Sequence, residues 1–522
     1  LSSAKVTYVS LIADESIHPR YEAALREVEA ELGLKHPFYV GGEEVWGKEV
    51  FAKSSPIDTS IRIGEFQVAE KESVLRAIAI AKQAFRDWSR RDWRERTSII
   101  RRAADVLERE MYRLAALITY EVGKNRFEAL AEMGEAIDML RYYADTYEAH
   151  EGYVRAMKPG APGEQTRSVL RPYGVWAVIS PFNFPIALAA GMITGALLTG
   201  NTVVFKPTSE APLSGLKLYR AFIEGGVPEE ALHVITGPGD IFGEIVVKHQ
   251  DIMGIAFTGS RDVGMRLYKQ FVASQPYPKP FIAEMGSKNP VIVTAKADLD
   301  KAVEGTVRAA YGYGGQKCSA ASRLYVEAGI YDEFMARLAK RTRELKVGDP
   351  RLRESFLGPV INRAAYVRFQ EAVSEAIRDG GKIEAGGRAL KEGVFERGYY
   401  VEPTLISGLR PEHRLFRDEL FLPLLVAAKF STLEEALRMA NDTEYGLTAG
   451  IFSEDEEEIR FFFERIEFGV VYANRKGGAT TGAWPGAQAF GGWKASGSTG
   501  RGVGGPYYLL SYLREQAQTV VR

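Results

Sequence analysis

Along the first 150 residues the apolar positions recur mostly at helical spacing. Tyr21, Ala24, Leu25, Val28 and Leu32 form one stripe within 14–33, closed by Gly33. From Lys71 to Ala149 the pattern is almost wholly helical, through Val74, Ile78, Ala81 and Phe85, then Ile99 to Met111, Leu114 to Val122 and Phe127 to Glu148. Short strands are expected near Pro37–Tyr39 and Ile61–Phe66. Thr166–Leu170 reads as a strand, and the loop Pro159–Gly163 before it suits a protruding hairpin. After Tyr173 the texture becomes strand–helix alternation. Apolar strands are predicted at Val175–Ile179, Thr202–Phe205, Leu232–Ile235, Gly254–Phe257, Phe281–Ala283 and Val291–Val293, with helices such as Leu213–Ile223 and Val263–Phe271 between them. Such alternation predicts a doubly wound parallel sheet. A second series runs from Leu324 through Tyr400, Leu424–Ala428, Thr448–Phe452 and Gly469–Tyr472, so the fold class is α/β with two lobes. Gly477–Gly505 reads as an ordered glycine-rich loop that keeps Trp484, Phe490 and Trp493. The run Tyr507–Leu513 reads as a strand for another subunit's edge.

Charge and composition narrow the classes of function. The 522 residues carry 67 basic and 68 acidic side chains, a net charge of -1, which argues against nucleic acid or a membrane surface as partner. From Pro172 to Phe205 no residue is charged, but Pro181, Asn183, Pro185 and several glycines interrupt the run, so a buried parallel sheet explains it better than a membrane span. The six histidines are scattered without ligand spacing, and no metal site is expected. One cysteine and no signal pattern point to a reducing, cytoplasmic setting.

That cysteine, Cys318, lies in Gly312-Tyr313-Gly314-Gly315-Gln316-Lys317-Cys318-Ser319-Ala320-Ala321-Ser322-Arg323. It is either a core filler or a nucleophile; the small residues around it leave room for a second molecule. Three predicted strand ends carry residues suited to phosphate or ribose: Lys206 before Pro207, the turn Gly237-Pro238-Gly239 with Gly243 four residues on, and Thr258-Gly259-Ser260 at a helix start. Glu284 ends another apolar strand. Glu419 reads equally well as a surface acid, and Asn183 as a structural amide between Phe182 and Phe184 or a donor to a substrate oxygen.

Taken together, Ser180-Pro181-Phe182-Asn183-Phe184-Pro185, Lys206-Pro207, Phe257-Thr258-Gly259-Ser260, Glu284-Met285-Gly286, Gly315-Gln316-Lys317-Cys318 and Glu419-Leu420-Phe421 resemble the aldehyde dehydrogenase superfamily, from about residue 35 onward. The resemblance implies two Rossmann-like lobes with a small β oligomerisation arm, and oxidation of a small-molecule aldehyde through a covalent intermediate with NAD, or possible NADP, as cofactor. Cys318 would be the nucleophile, Asn183 an oxyanion donor and Glu284 the base that activates water. Ser180, Lys206, Ser209, Gly239, Gly243, Ser260, Glu419 and Phe421 would line the cofactor site. Two places depart from the common pattern. Ser209 stands where many NAD-preferring members have an acid, which leaves NAD against NADP open, and Leu422 replaces a loop glycine.

Within the superfamily the chain looks like the branch that oxidises glutamate γ-semialdehyde in proline degradation, on Gln316–Arg323, Asn474-Arg475-Lys476, Thr481-Gly482-Ala483, Phe490-Gly491-Gly492 and the tail Gly504–Leu510. That likeness implies Lys317, Ser319, Gly482 and Ala483 at the substrate carboxylate, Glu132 near its ammonium, and Phe184 and Phe490 around its aliphatic chain. A dehydrogenase for another carboxylated semialdehyde, such as succinate semialdehyde, is the alternative. The implied organisation is an N-terminal helical extension (1–35), a cofactor domain (36–151 and 173–286), a catalytic domain (287–476), a substrate-anchor loop (477–504) and an oligomerisation arm (152–172 and 505–522) that makes a homo-oligomer, dimer or higher.

Overall fold

The computed structural model describes residue 11 and residues 14–477 and 484–522. The predicted alternation folds into two seven-stranded sheets. The first runs in the order Phe281–Glu284, Ile252–Thr258, Val175–Ile179, Thr202–Lys206, Leu232–Val234, Phe38–Val40, Glu43–Val45, its first five strands parallel. The second runs Lys382–Ala385, Thr404–Ser407, Leu424–Phe430, Ala321–Glu327, Asn289–Val293, Thr448–Phe452, Val470–Ala473, parallel except for its first strand. Central strands such as Thr202–Lys206 and Asn289–Val293 are buried at every position. Helices therefore cover both faces, and the strand sequences are continuously apolar instead of alternating.

The charge-free run resolves accordingly. It forms strand Val175–Ile179, helix Ala187–Leu198, buried at all twelve positions, and strand Thr202–Lys206. Among the described residues no helix is long and apolar enough to cross a membrane. The helical stretch 71–149 divides into Lys71–Trp88, Trp93–Arg109, Met111–Val122 and Arg126–Ala149. Asp92 caps the second of these through Arg94 N. Gly123 ends the third in the left-handed region (φ 78°), where a side chain would strike Pro359.

Two expectations are corrected. Tyr507–Leu513 is not a strand: Tyr508–Tyr512 is a buried 3-10 turn whose rings pack on Tyr143 and Trp176, with centroids 5.4 Å and 4.5 Å apart. Aromatic bulk with room to stack overrides the strand-like composition. The strand begins at Leu513 and pairs within the chain, Leu513 opposite Pro172 through Val521 opposite Glu164. With Val154–Met157 it forms a three-stranded antiparallel arm on which the Pro159–Gly163 loop makes the hairpin turn. Tyr400 is likewise outside the strands, and Thr404–Ser407 enters the second sheet in its stead.

Candidate active site

The register of the first sheet aligns the ends of its strands. Ile179 is level with Phe257 and Lys206, and Thr258 with Glu284. Ser180, Lys206, the Thr258–Ser260 turn and Glu284 thus share the carboxyl edge of one parallel sheet, where open α/β folds bind ligands. Ser260 caps the Arg261–Ser274 helix by accepting from Val263 N at 3.4 Å. Gly239 opens the Gly239–Lys248 helix at an exposed position, whereas Gly243 is buried, its Cα facing Leu267 of the next helix.

Along this edge polar groups are short of partners. The Ser180 hydroxyl is buried and makes no hydrogen bond. Lys206, 4% exposed, donates to the Pro207 carbonyl at 3.0 Å, and burial lowers its pKa to about 8. A buried ammonium and an unpaired hydroxyl at helix-start turns fit a ligand rich in hydroxyl and phosphate oxygens. Ser209 donates to the Gly237 carbonyl at 2.9 Å. Its neighbour Glu210 is held by Lys53 at 2.6 Å and Asn362 at 2.8 Å.

Glu419 crosses from the second lobe and accepts from Ser287 N at 2.7 Å, so close to Gly286 that any side chain there would collide with it. Burial raises the Glu419 pKa to about 7. Phe421 sets its ring edge-on to Phe182, 5.8 Å away, and takes a positive φ of 60° itself. Leu422, in place of the glycine, needs no such conformation: its side chain is buried and its carbonyl lies against Gly315.

The cysteine turn is tightly held. Tyr313, Gly314 and Gly315 are successive left-handed residues (φ 49°, 62° and 67°), and the Tyr313 hydroxyl donates to the Val122 carbonyl at 2.7 Å. Gln316 accepts from Ile361 N at 2.8 Å. Asn289, from the second sheet, donates to the carbonyls of Cys318 (2.7 Å) and Ala320 (2.9 Å) and accepts from Thr448 N (2.9 Å). Cys318 keeps partial exposure. Its thiol is pushed up to about 12, first by burial and then by the carboxylates of Glu284, Glu419 and Glu135. Glu284 is raised well above the carboxylate range by burial, against one hydrogen bond from Gly492 N at 3.2 Å. Burial is the leading cause for both groups, and the Glu284 carboxylate adds to the rise at the thiol. Asn183 is 3% exposed, on the turn between strand Val175–Ile179 and helix Ala187–Leu198.

Next to Cys318, Lys317 is buried and paired with Glu128 (2.6 Å), and the buried Ser319 hydroxyl has no hydrogen-bond partner among the described residues. Glu132 sits one turn further along the same helix with both oxygens engaged. One accepts from Ile186 N (2.9 Å) and Ala187 N (3.2 Å), capping the Ala187–Leu198 helix, and the other from Lys124 (2.7 Å). Lys124 in turn lies 3.6 Å over the Phe184 ring. Phe490 is buried and hydrogen-bonds Val503 through its backbone N–H at 2.9 Å. Gly482 and Ala483 lie outside the described residues. The sequence reading missed Lys124, Glu128 and Asn289. The spacing of four from Glu128 to Glu132, one helix face, was the available signal for Glu128, and an amide in an apolar strand for Asn289; Lys124, in the link before that helix, carried none.

A half-buried thiol raised by the carboxylates of Glu284 and Glu419, with Ser180 and Lys206 along the carboxyl edge of the first sheet, has the groups of an NAD-linked aldehyde-oxidising class. The profile of the aldehyde dehydrogenase family matches residues 44–518, and the chain belongs to that family. Among its relatives is a 1-pyrroline-5-carboxylate dehydrogenase of Geobacillus sp. (strain WCH70), 38% identical over 97% of this chain and 96% of the relative. A solved 1-pyrroline-5-carboxylate dehydrogenase from Thermus with bound NAD superposes with a TM-score of 0.93 at 35% identity, covering 98% of this chain and 97% of the other. Proline utilization A from Bdellovibrio bacteriovorus also superposes at 0.93 and 34% identity, over 98% of this chain but 52% of that one.

Proposed function

We propose that this chain oxidises L-glutamate γ-semialdehyde, the open form of 1-pyrroline-5-carboxylate, to L-glutamate with NAD, as a step of proline degradation. The observation that carries this reading is the grouping of Cys318 with a buried Lys317–Glu128 pair and the unpartnered Ser319 hydroxyl. An aldehyde bearing a carboxylate and an ammonium needs a cation, an anion and a free donor beside the nucleophile. Lys317 and Ser319 then meet the carboxylate and Glu128 the ammonium. Glu132 holds Lys124 and the Phe184 loop in place, and Phe184 and Phe490 flank the aliphatic chain.

Cys318 Sγ loses its proton to solvent and bonds to the aldehyde carbon, while the Asn183 amide and the Cys318 N–H receive the oxyanion, at roughly 3–4 kcal/mol per donor. Ser180, Lys206, Gly239, Gly243, Ser260, Glu419 and Phe421 would hold NAD, which would supply a positive ring that favours the thiolate and an acceptor for the hydride; loss of that hydride leaves a thioester on Cys318. Glu284 takes a proton from the water that attacks the thioester carbon; the S–C bond breaks, glutamate leaves and the thiol is restored. Ser209 carries no charge either to repel or to attract a 2′-phosphate, so nothing at that position excludes NADP. The first sheet with its helices (36–151 and 173–286) serves the cofactor, and the second (287–476) the cysteine. The arm of 152–172 and 505–522 joins copies of the chain into a homo-oligomer. A steady-state panel of glutamate semialdehyde, succinate semialdehyde and propanal, with NAD and with NADP, tests the assignment. The highest kcat/KM is expected for glutamate semialdehyde with NAD, and equal values for the two semialdehydes would remove the role given to Glu128.

A further inference from the structure

The segment Ile17–Glu29 lies outside the part of the chain matched by the family profile; it packs on Met111–Val122, and its His18 and Glu22 reach Arg126 and Phe127 at the start of the helix that carries Glu128 and Glu132. Three segments meet at the first turn of that helix. Arg126, 2% exposed, sets Nη1 against His18 Nδ1 (2.8 Å) and Glu22 Oε1 (3.3 Å), and its Nη2 donates to the Arg351 carbonyl (3.0 Å). Its Nε is buried without a partner. Next to it, Asn125 caps Glu128 N at 2.9 Å and donates to the Phe356 carbonyl at 2.9 Å, while the edge of the His18 ring meets Phe127. Two residues beyond Arg126 stands Glu128, whose carboxylate holds Lys317 beside Cys318. A displacement of this turn therefore moves the charge pair at the substrate's amino-acid end, but not the strand edge that holds Glu284.

We propose that the N-terminal helix braces the amino-acid subsite, with His18 as a positioning residue that acts through Arg126. This rests on the substrate reading given above. A guanidinium can only donate, so His18 Nδ1 must accept, and the imidazole is neutral with its proton on Nε2, toward Glu15 Oε2 at 4.0 Å. The charged groups facing the ring among the described residues are Glu15, Glu22, Arg126 and Arg353. Burial, with Arg353 and Arg126, keeps the ring below its ordinary 6.5 against the pull of the two acids. Protonation would aim an N–H at the guanidinium, replacing a hydrogen bond with repulsion and loosening the turn that carries Glu128. The brace holds at neutral pH and weakens as pH falls.

The test compares the parent with His18→Leu and His18→Gln on glutamate semialdehyde and on propanal, between pH 5.5 and 8. His18→Leu is expected to raise KM for glutamate semialdehyde about tenfold and to change kcat/KM for propanal less than about twofold. His18→Gln, whose carbonyl can accept from Arg126, should return KM to within about threefold of the parent. As pH falls below 6.5 the parent's KM should climb while that of His18→Gln does not; taking their ratio at each pH cancels the aldehyde's own ring closure. If His18→Leu fails to fold, this pH comparison decides. Equal changes for both aldehydes, or superposable pH profiles, would overturn the brace. A parent active on propanal but inert on glutamate semialdehyde would defeat the substrate assignment instead. The brace is then judged by amide exchange over 126–132, faster in His18→Leu if it stands and unchanged if it does not.

Discussion

At the scale of single residues, Cys318 and Glu284 have little chemistry without each other and a ligand. Both carry raised pKa values with burial as the leading cause. Cys318→Ala is expected to lower aldehyde oxidation by at least about 10⁴-fold, with NAD binding retained in a titration. Glu284→Gln should give a burst of NADH close to one per site, followed by stalled turnover; steady-state rates equal to the parent's would remove its role as base. The same variant reads out burial. A carboxyl whose folded pKa is raised favours the fold at low pH, and that contribution is lost as pH rises through the folded value. Replacing it with a neutral amide should therefore raise the thermal midpoint at pH 9 but hardly at pH 5. Cys318, Glu284 and Asn183 were legible because each stands in a distinctive local run at a strand end or turn. Glu128 was not, because a carboxylate on a helix looks solvated until the fold brings Lys317 against it.

At the scale of elements, the cysteine turn shows why the sequence pattern was informative for strands and less so for loops. The predicted apolar strands of the first lobe are all parallel strands with helices on both faces, whereas the equally apolar Ala187–Leu198 is a buried helix. Tyr508–Tyr512 was misread because its apolar residues pack through ring stacking, which periodicity does not encode. The Leu422 departure likewise could not be judged from the motif: the neighbouring Phe421 takes the positive φ, and Gly315 makes room for the Leu422 carbonyl. Gly315→Ala would add a side chain at φ 67° against that carbonyl. We expect a loss of about 2–4 kcal/mol in denaturant unfolding, or a displaced turn with kcat lowered more than 10²-fold. Unchanged stability and rate would mean that the two loops are not in rigid contact.

At the scale of the whole molecule, the arm is a strand pair closed over long sequence separation, with little of it buried. An exposed three-stranded ribbon is marginal alone and gains from a partner surface. Deleting 514–522 should therefore reduce the oligomer measured by light scattering while leaving monomer far-UV circular dichroism nearly unchanged; an unaltered mass would assign association to another face. Asn289 ties the cysteine turn to the second sheet, and the residue after it is Pro290, which has no backbone N–H. Spontaneous conversion of asparagine to aspartate proceeds through attack by that following nitrogen, so this linchpin is shielded from the commonest chemical ageing of its side chain. Storage at alkaline pH should therefore leave position 289 as asparagine, read by peptide mass, with the cysteine turn still tied to the sheet.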